Sequence, residues 1–384
     1  MDFQPTEEQE ELRSSVRSFL HQACPPALVR RVFEAKADEA RPQVLDLWAR
    51  MVRLDWPALA IPERFGGMGL GFVELCLVAE EMGRAAAPGP FLATATQFAP
   101  MVRETAGPAR AEEILRPVAE GRITGALALA EPGGRWEPEA VAATARPDGT
   151  GWLLEGTKSW VLDGATADRI AVVARLEGSA GPDGLGVFVI AGDCVAARPL
   201  PSMDPTQPLA ELPLGGVRVG PEGVLAAPGE AGAAEGIARA VQEVTACVAA
   251  GINGACRAIF DTTLRYAKDR EQYGRPIGSF QALKHRLVEM YTGLERASAL
   301  AAFAALTIAE DDDRRPLAVS MAKAAAGDNQ RLMVQDGLQL HGGIGFTWEN
   351  DLHMFLKRAK AGDFLFGTGR SHRSAVARLL GVRL

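Results

Sequence analysis

Three segments of this 384-residue chain carry side chains that could do chemistry together. The first reads Asp269-Arg270-Glu271-Gln272-Tyr273-Gly274-Arg275-Pro276-Ile277 and is followed by Phe280-Gln281, so a guanidinium, an amide and aromatic rings converge between two long apolar-periodic stretches. Read plainly, this is a charged, capped helix corner. Read chemically, the Arg fork grips phosphate oxygens and an aromatic face stacks on a purine, which makes a clamp for pyrophosphate and adenine. The second segment, Gln339-Leu340-His341-Gly342-Gly343-Ile344-Gly345-Phe346, sets two adjacent glycines after a helical run, where backbone can approach a ligand closely. Alone it reads as a helix C-cap; beside the first segment it reads as a nucleotide contact. The third, Gly156-Thr157-Lys158-Ser159-Trp160-Val161-Leu162-Asp163-Gly164, holds a Trp whose face can pack on a flat heteroaromatic ring, although a Trp in such a place is commonly plain core.

Other chemistries lack their spacing. Gly67-Met68-Gly69-Leu70-Gly71 follows no strand-like run and lacks the phasing of a dinucleotide fingerprint. In Gly156-Thr157-Lys158-Ser159 the Thr stands between Gly and Lys and breaks the register of a phosphate loop. His21, His285, His341, His353 and His372 show no metal-ligand spacing, so no metal site is expected. No G-x-S-x-G elbow is present.

With Ala128-Leu129-Ala130-Glu131-Pro132-Gly133-Gly134 upstream, the segments resemble the acyl-CoA dehydrogenase family over nearly the whole chain. The resemblance implies a helical domain, a small β-barrel or sandwich domain and a C-terminal four-helix bundle, with FAD held between the subunits of a dimer or tetramer. By resemblance, Arg270, Gln272, Tyr273, Phe280 and Gln281, with Gln339, Gly342 and Gly343, would hold the ADP half of an FAD belonging largely to the neighbouring subunit. Trp160 would flank the flavin of its own subunit, and Thr368 belongs to the same cofactor-binding set.

The implied reaction on an acyl-CoA thioester needs a carboxylate to remove the α-proton while the β-hydrogen leaves as hydride. In the family a Glu precedes the Gly-Thr of the last helical segment, and here Phe366 stands before Gly367-Thr368. The other positions that carry the base in some members fall on Val244 and Gly251. Glu243 is the remaining candidate, but adjacent helical residues point about 100° apart, so it should not aim where a side chain at 244 would. The hydroxyl residues expected near the flavin are replaced by Leu162 and Ala130, and the segment after them reads Gly134, Arg135, Trp136. A degraded cis half and a retained trans half describe one subunit of a heteromer whose homologous partner carries the base, a pattern that resembles dehydrogenases of bulky, steroid-like acyl-CoA side chains. Three alternatives stand beside it: a self-sufficient homomeric dehydrogenase using Glu243, a same-fold flavin monooxygenase, and a non-catalytic acyl-CoA-binding or structural subunit.

The elements that must position these residues follow from composition and periodicity. Apolar residues make up 47% and charged residues 23%, with a formal charge of -7 and no dense Lys/Arg tract, an ordinary globular balance without a nucleic-acid footprint. Thr6 ahead of Glu7 and Gln9 predicts a helix cap, and Phe72 to Met82 predicts an amphipathic helix stopped by Gly83. From Ile123 short apolar runs such as Gly151 to Glu155 and Arg169 to Ala174 alternate with turns and predict strands. After Glu230, Ala238 to Arg270 and Gln281 to Ala309 predict long helices, with a turn at Asp311-Asp312-Asp313 closed by Pro316. The expected fold is mainly α with a central β domain, divided as 1–120, 121–229 and 230–384. Five scattered cysteines without C-x-x-C, an acidic N-terminus without an apolar core, and prolines throughout Ala85 to Val102 point to a cytoplasmic chain with no membrane anchor.

Overall fold

The computed structural model describes residues 3–34 and 39–382. Helix α1 (Glu7–Ala23) opens on a capping box: Gln9 N donates to Thr6 Oγ1 at 3.2 Å and Thr6 N donates to Gln9 Oε1 at 3.1 Å. Helix α2 (Pro26–Glu34) starts on a proline, whose missing N–H costs nothing in the first turn. After α3 (Arg41–Val52) and α4 (Phe72–Arg84) comes a helical run of α5 (Phe91–Ala93), a π-helical turn over Thr94–Phe98, and α6 (Ala99–Thr105). The run survives Pro100 because that residue falls in the first turn of α6. Helix α7 (Pro108–Ala119) follows.

The strands are β1 (Gly125–Ala128), β2 (Thr144–Asp148), β3 (Gly151–Glu155), β4 (Thr157–Leu162), β5 (Arg169–Leu176), β6 (Leu185–Ala191), β7 (Arg198–Leu200), β8 (Leu209–Pro213), β9 (Val217–Val219) and β10 (Val224–Ala226). A seven-stranded sheet runs β10-β6-β5-β2-β3-β9 with β1 on β5, and a three-stranded sheet runs β4-β8-β7. The pairs β1–β5 and β2–β5 are parallel, and the other sheet pairs are antiparallel. Ala126, Leu154, Val172, Phe188, Ile190 and Leu212 pack into one core cluster between them.

Helix α8 (Ala233–Asp269, 37 residues) leads into a two-strand hairpin, β11 (Glu271–Gln272) and β12 (Arg275–Pro276). Then come α9 (Gln281–Ala309), α10 (Arg315–His341), α11 (Leu352–Phe364) and α12 (Gly369–Leu379). The acidic turn between α9 and α10 works as expected: Asp312 Oδ1 accepts from Arg314 N at 2.8 Å.

Helix α4 ends at Arg84, one residue past Gly83 and close to the expected stop. Gly83 lies in the last turn of α4, where a Cβ would come within 2.0 Å of Gly251 O, while a Cβ on Gly254 would meet Glu80 O at 1.8 Å. Both glycines serve a close backbone crossing of α4 and α8, a tertiary demand beyond glycine's local role near a helix end. By contact density the chain sorts into two compact units: Met1–Gln43, Phe72–Pro88 and Thr245–Leu384 in one, Val44–Gly71 and Gly89–Val244 in the other. Among the described residues no helix is long and apolar enough to cross a membrane.

Candidate active site

In the first unit, α8, α9, α10 and the loop after α10 enclose a cleft of about 770 Å³, within the range of ligand-sized cavities. Arg270, Gln272, Gln339, Gly342 and Gly343 all line it. Thus five residues picked from two motifs far apart in sequence meet in one place. Gly342 ends α10 with φ of 60°, and a Cβ on either Gly342 or Gly343 would project into open space. Their bare backbone faces solvent, with guanidinium and amide groups around it. That donor set suits a diphosphate and the hydroxyls of a ribose.

The remaining clamp residues stand outside the lining. Tyr273 and Gly274 both have positive φ (56° and 75°) and form the two-residue turn of the β11–β12 hairpin, so the interhelical corner read from sequence is a tight β-turn of the I′ kind. Tyr273 is 92% exposed and meets Phe280 edge-on at 6.1 Å, while the Arg275 guanidinium lies 4.2 Å above the Phe280 ring. Gln281 is exposed at the start of α9. Thr368 caps α12, its hydroxyl accepting from Ser371 N at 3.3 Å. Two further cleft features carried no sequence signal: the Arg286–Asp336 ion pair, and Tyr266 stacked on His341 with centroids 4.5 Å apart. The partners in each pair are separated by more than twelve turns of chain, so no local pattern announces them.

In the second unit, Trp160 has φ of 60° and sits at a β-bulge, where β4 passes from Lys158↔Leu212 to Val161↔Ala210 with one residue extra. The bulge turns the indole out of the strand's regular alternation. Ser159 N donates to Ala130 O at 2.9 Å, and the fully buried Lys158 donates to Leu129 O at 3.0 Å and Glu131 Oε1 at 2.8 Å. Glu131 also accepts from the backbone of Ala142 and Ala143. Burial pushes the Lys158 ammonium down to about 8 against the pull of Glu131. Trp160 and the Leu129–Glu131 segment are thereby tied to one another, and Ala130 and Leu162 are both buried.

The turn after α11 holds Phe366, at the family's position for the base. Phe366 is 4% exposed with φ of 55°, and Gly367 follows with φ of 96°. Its two carbonyls are held from different helices. His372 Nε2 donates to Phe366 O at 2.8 Å, and Lys323 Nζ donates to Gly367 O at 2.5 Å and Asp363 O at 2.8 Å. Lys323 is 0% exposed, and burial pushes its ammonium down to about 7, with Asp363 acting against the shift.

Glu243 is 3% exposed and ion-paired with the Arg103 guanidinium. Arg103 Nε also donates to Glu104 Oε1 at 3.1 Å, and Glu104 Oε2 accepts from Arg239 Nε at 2.9 Å. The carboxylate thus belongs to a four-residue chain of alternating charge. Val244 is fully buried, and Gly251 is the residue that Gly83 closely approaches.

Family models described as acyl-CoA dehydrogenase N-terminal, middle and C-terminal domains match residues 6–122, 126–215 and 237–381. The chain belongs to the acyl-CoA dehydrogenase family. It is an oxidoreductase and flavoprotein of that family, whose cofactor is FAD. The chain is similar to the acyl-CoA dehydrogenase IpdE2 of Mycobacterium tuberculosis, with 31% identity over 92% of each chain. It is 33% identical to the acyl-CoA dehydrogenase FadE34 of the same organism over 99% of its own length, but spans only 50% of that longer protein. A solved glutaryl-CoA dehydrogenase in complex with glutaryl-CoA shares the fold at a TM-score of 0.87, with 26% identity, 100% of this chain and 98% of that one covered. The cleft's bare glycine backbone and phosphate-suited donors fit the nucleotide half of FAD.

Proposed function

We propose that this chain is the base-lacking subunit of a heteromeric acyl-CoA dehydrogenase, in which a homologous partner subunit supplies the carboxylate. The observation that carries the reading is the pairing of an apolar Phe366, buried in a hydrogen-bonded turn, with a Glu243 already consumed by Arg103. Val244 and Gly251 offer no proton acceptor. FAD, when bound, supplies the hydride acceptor for the β-hydrogen. This chain's residues would do the holding: Arg270 would grip the diphosphate, Gln272 and Gln339 would offer amides to the nucleotide half, Gly342 and Gly343 would give the backbone close approach, and Tyr273, Phe280 and Gln281 at the hairpin and α9 start would complete the clamp. Trp160, aimed by its bulge, would pack on the ring system, and Thr368 fixes the start of α12 beside the Phe366 turn.

Because the clamp serves a neighbouring subunit's cofactor, the chain functions only as an oligomer with that homologue, on an acyl-CoA whose bulk resembles a steroid side chain. The division at about residues 120 and 229 is retained as the proposed domain boundary. The test is co-expression with a homologous subunit, an absorbance scan for bound flavin, and acyl-CoA-dependent reduction of an artificial electron acceptor. Flavin and turnover in the co-expressed complex but no turnover by the lone chain is the expected result. Robust turnover by the lone chain would reject the proposal.

A further inference from the structure

The loop after α10 carries Gly342 and Gly343 and then runs exposed through Ile344, Phe346 and Trp348 before α11 begins. An exposed glycine-rich loop has little packing of its own to keep it in one conformation. Here it is gripped from outside by α2. Arg30 Nη1 donates to Trp348 O at 2.8 Å, Nη2 donates to Glu349 O at 3.0 Å, and Nε donates to Asp351 Oδ1 at 2.9 Å. One guanidinium therefore ties two loop carbonyls and the carboxylate that starts α11. Glu34, one turn further along α2, accepts from Arg30 Nη1 at 3.0 Å and from the Trp348 indole Nε1 at 2.9 Å.

Aromatic contacts repeat the connection. Trp348 stacks on His353 with centroids 4.5 Å apart and planes at 20°, and His353 meets Phe33 of α2 edge-on at 5.8 Å. The Lys357 ammonium lies 4.7 Å from the Trp348 ring and 5.2 Å from Phe33. Four of Arg30's five donor contacts, and the ring stack, join α2 to the stretch from Trp348 to His353 that follows the glycine loop. None of these groups lines the cleft.

We infer that α2 is a strut for the nucleotide loop and that Arg30 is a positioning residue for cofactor binding, acting through Trp348, Glu349 and Asp351 on the conformation of Gly342 and Gly343. The inference rests on the reading that those glycines hold the nucleotide half of FAD. Without the guanidinium the loop samples other conformations, and the bound one must be selected at a cost in apparent affinity. Losing a charge-assisted network of this kind should weaken FAD binding about tenfold.

The experiment titrates FAD into the flavin-stripped, assembled full-length protein by flavin fluorescence, alongside hydrogen–deuterium exchange of the cofactor-free form. Arg30→Ala should weaken FAD about tenfold and speed exchange selectively across 342–351, with Arg30→Lys, which keeps the charge but not the fork, falling between it and the wild type. Arg270→Ala is the control for the nucleotide reading. If Arg270→Ala loses FAD and Arg30→Ala does not, the strut is refuted and the cleft reading stands. If neither changes FAD affinity, both are refuted. A fall in melting temperature with unchanged FAD affinity and no selective exchange would also overturn the inference. Should Arg30→Ala fail to fold, Glu34→Ala removes the carboxylate that accepts from the Trp348 indole and from Arg30; a smaller weakening is expected, and unchanged affinity overturns the strut.

Discussion

Replacing Glu243 with Gln separates a structural carboxylate from a catalytic one. The side chain is 4% exposed and the Arg103 guanidinium it pairs with is 20% exposed, so the pair is largely removed from water. Stripping one partner from a buried pair typically costs about 3–5 kcal/mol, since the other charge is left uncompensated. Two features reduce the loss here. Arg103 keeps Glu104 at 3.1 Å, and Gln still offers an amide oxygen to the guanidinium. We therefore expect a destabilisation of about 1–3 kcal/mol. At this chain length that corresponds to a fall in melting temperature of about 1–4 °C. The co-expressed complex should keep its turnover number at temperatures where it remains folded. Thermal unfolding and acyl-CoA-dependent acceptor reduction, measured on the same preparations, check both halves. Turnover falling by the 10²–10⁴-fold expected for a lost general base, with melting unchanged, would refute the ion-pair argument and make Glu243 the base.

Phe366→Glu in the lone chain with FAD should gain measurable acyl-CoA-dependent acceptor reduction over wild type, because a carboxylate would then stand at the family's base position; no gain in a folded, flavin-loaded variant counts against the vacant-base reading. Arg270→Ala should weaken FAD binding to the assembled protein by about 1.5–3 kcal/mol, read by flavin fluorescence titration. Burial lowers Lys323 from 10.5 to about 7, so between those values the unfolded chain binds a proton that the folded chain does not. Stability should therefore rise with pH across that window, and Lys323→Met should flatten the rise without abolishing it, since Lys158, lowered to about 8, contributes with the same sign. Melting temperatures from pH 7 to 10 provide the check.

What the sequence disclosed about the fold was local. The Thr6–Gln9 capping box, the strand at Gly151–Glu155 and the acidic turn before Pro316 are each written within a few residues, and each stands where its pattern put it. The departures are places where a distant element sets the conformation. Gly83 sits near its helix end yet also serves α8, which needs its missing Cβ, and Tyr273-Gly274 folds as a hairpin turn because two flanking dipeptides pair across it. Both residues look like simple chain breaks to a local reading.

The same division runs through the site. Arg270, Gln339 and the glycine pair were legible because each motif is contiguous, and the cleft joins them. Glu243 was legible only as a residue type, since Arg103, which fixes its role, lies 140 positions away. The Phe366 turn carries the sharper lesson. Lys323 and His372 hold it through the carbonyls of Asp363, Gly367 and Phe366, and backbone carbonyls are present whatever side chain stands at 366. Loss of a carboxylate there removes a proton acceptor but none of these three carbonyl contacts. Base identity and turn geometry are therefore physically separable, and a subunit can surrender the first to a partner while keeping the second as part of its fold.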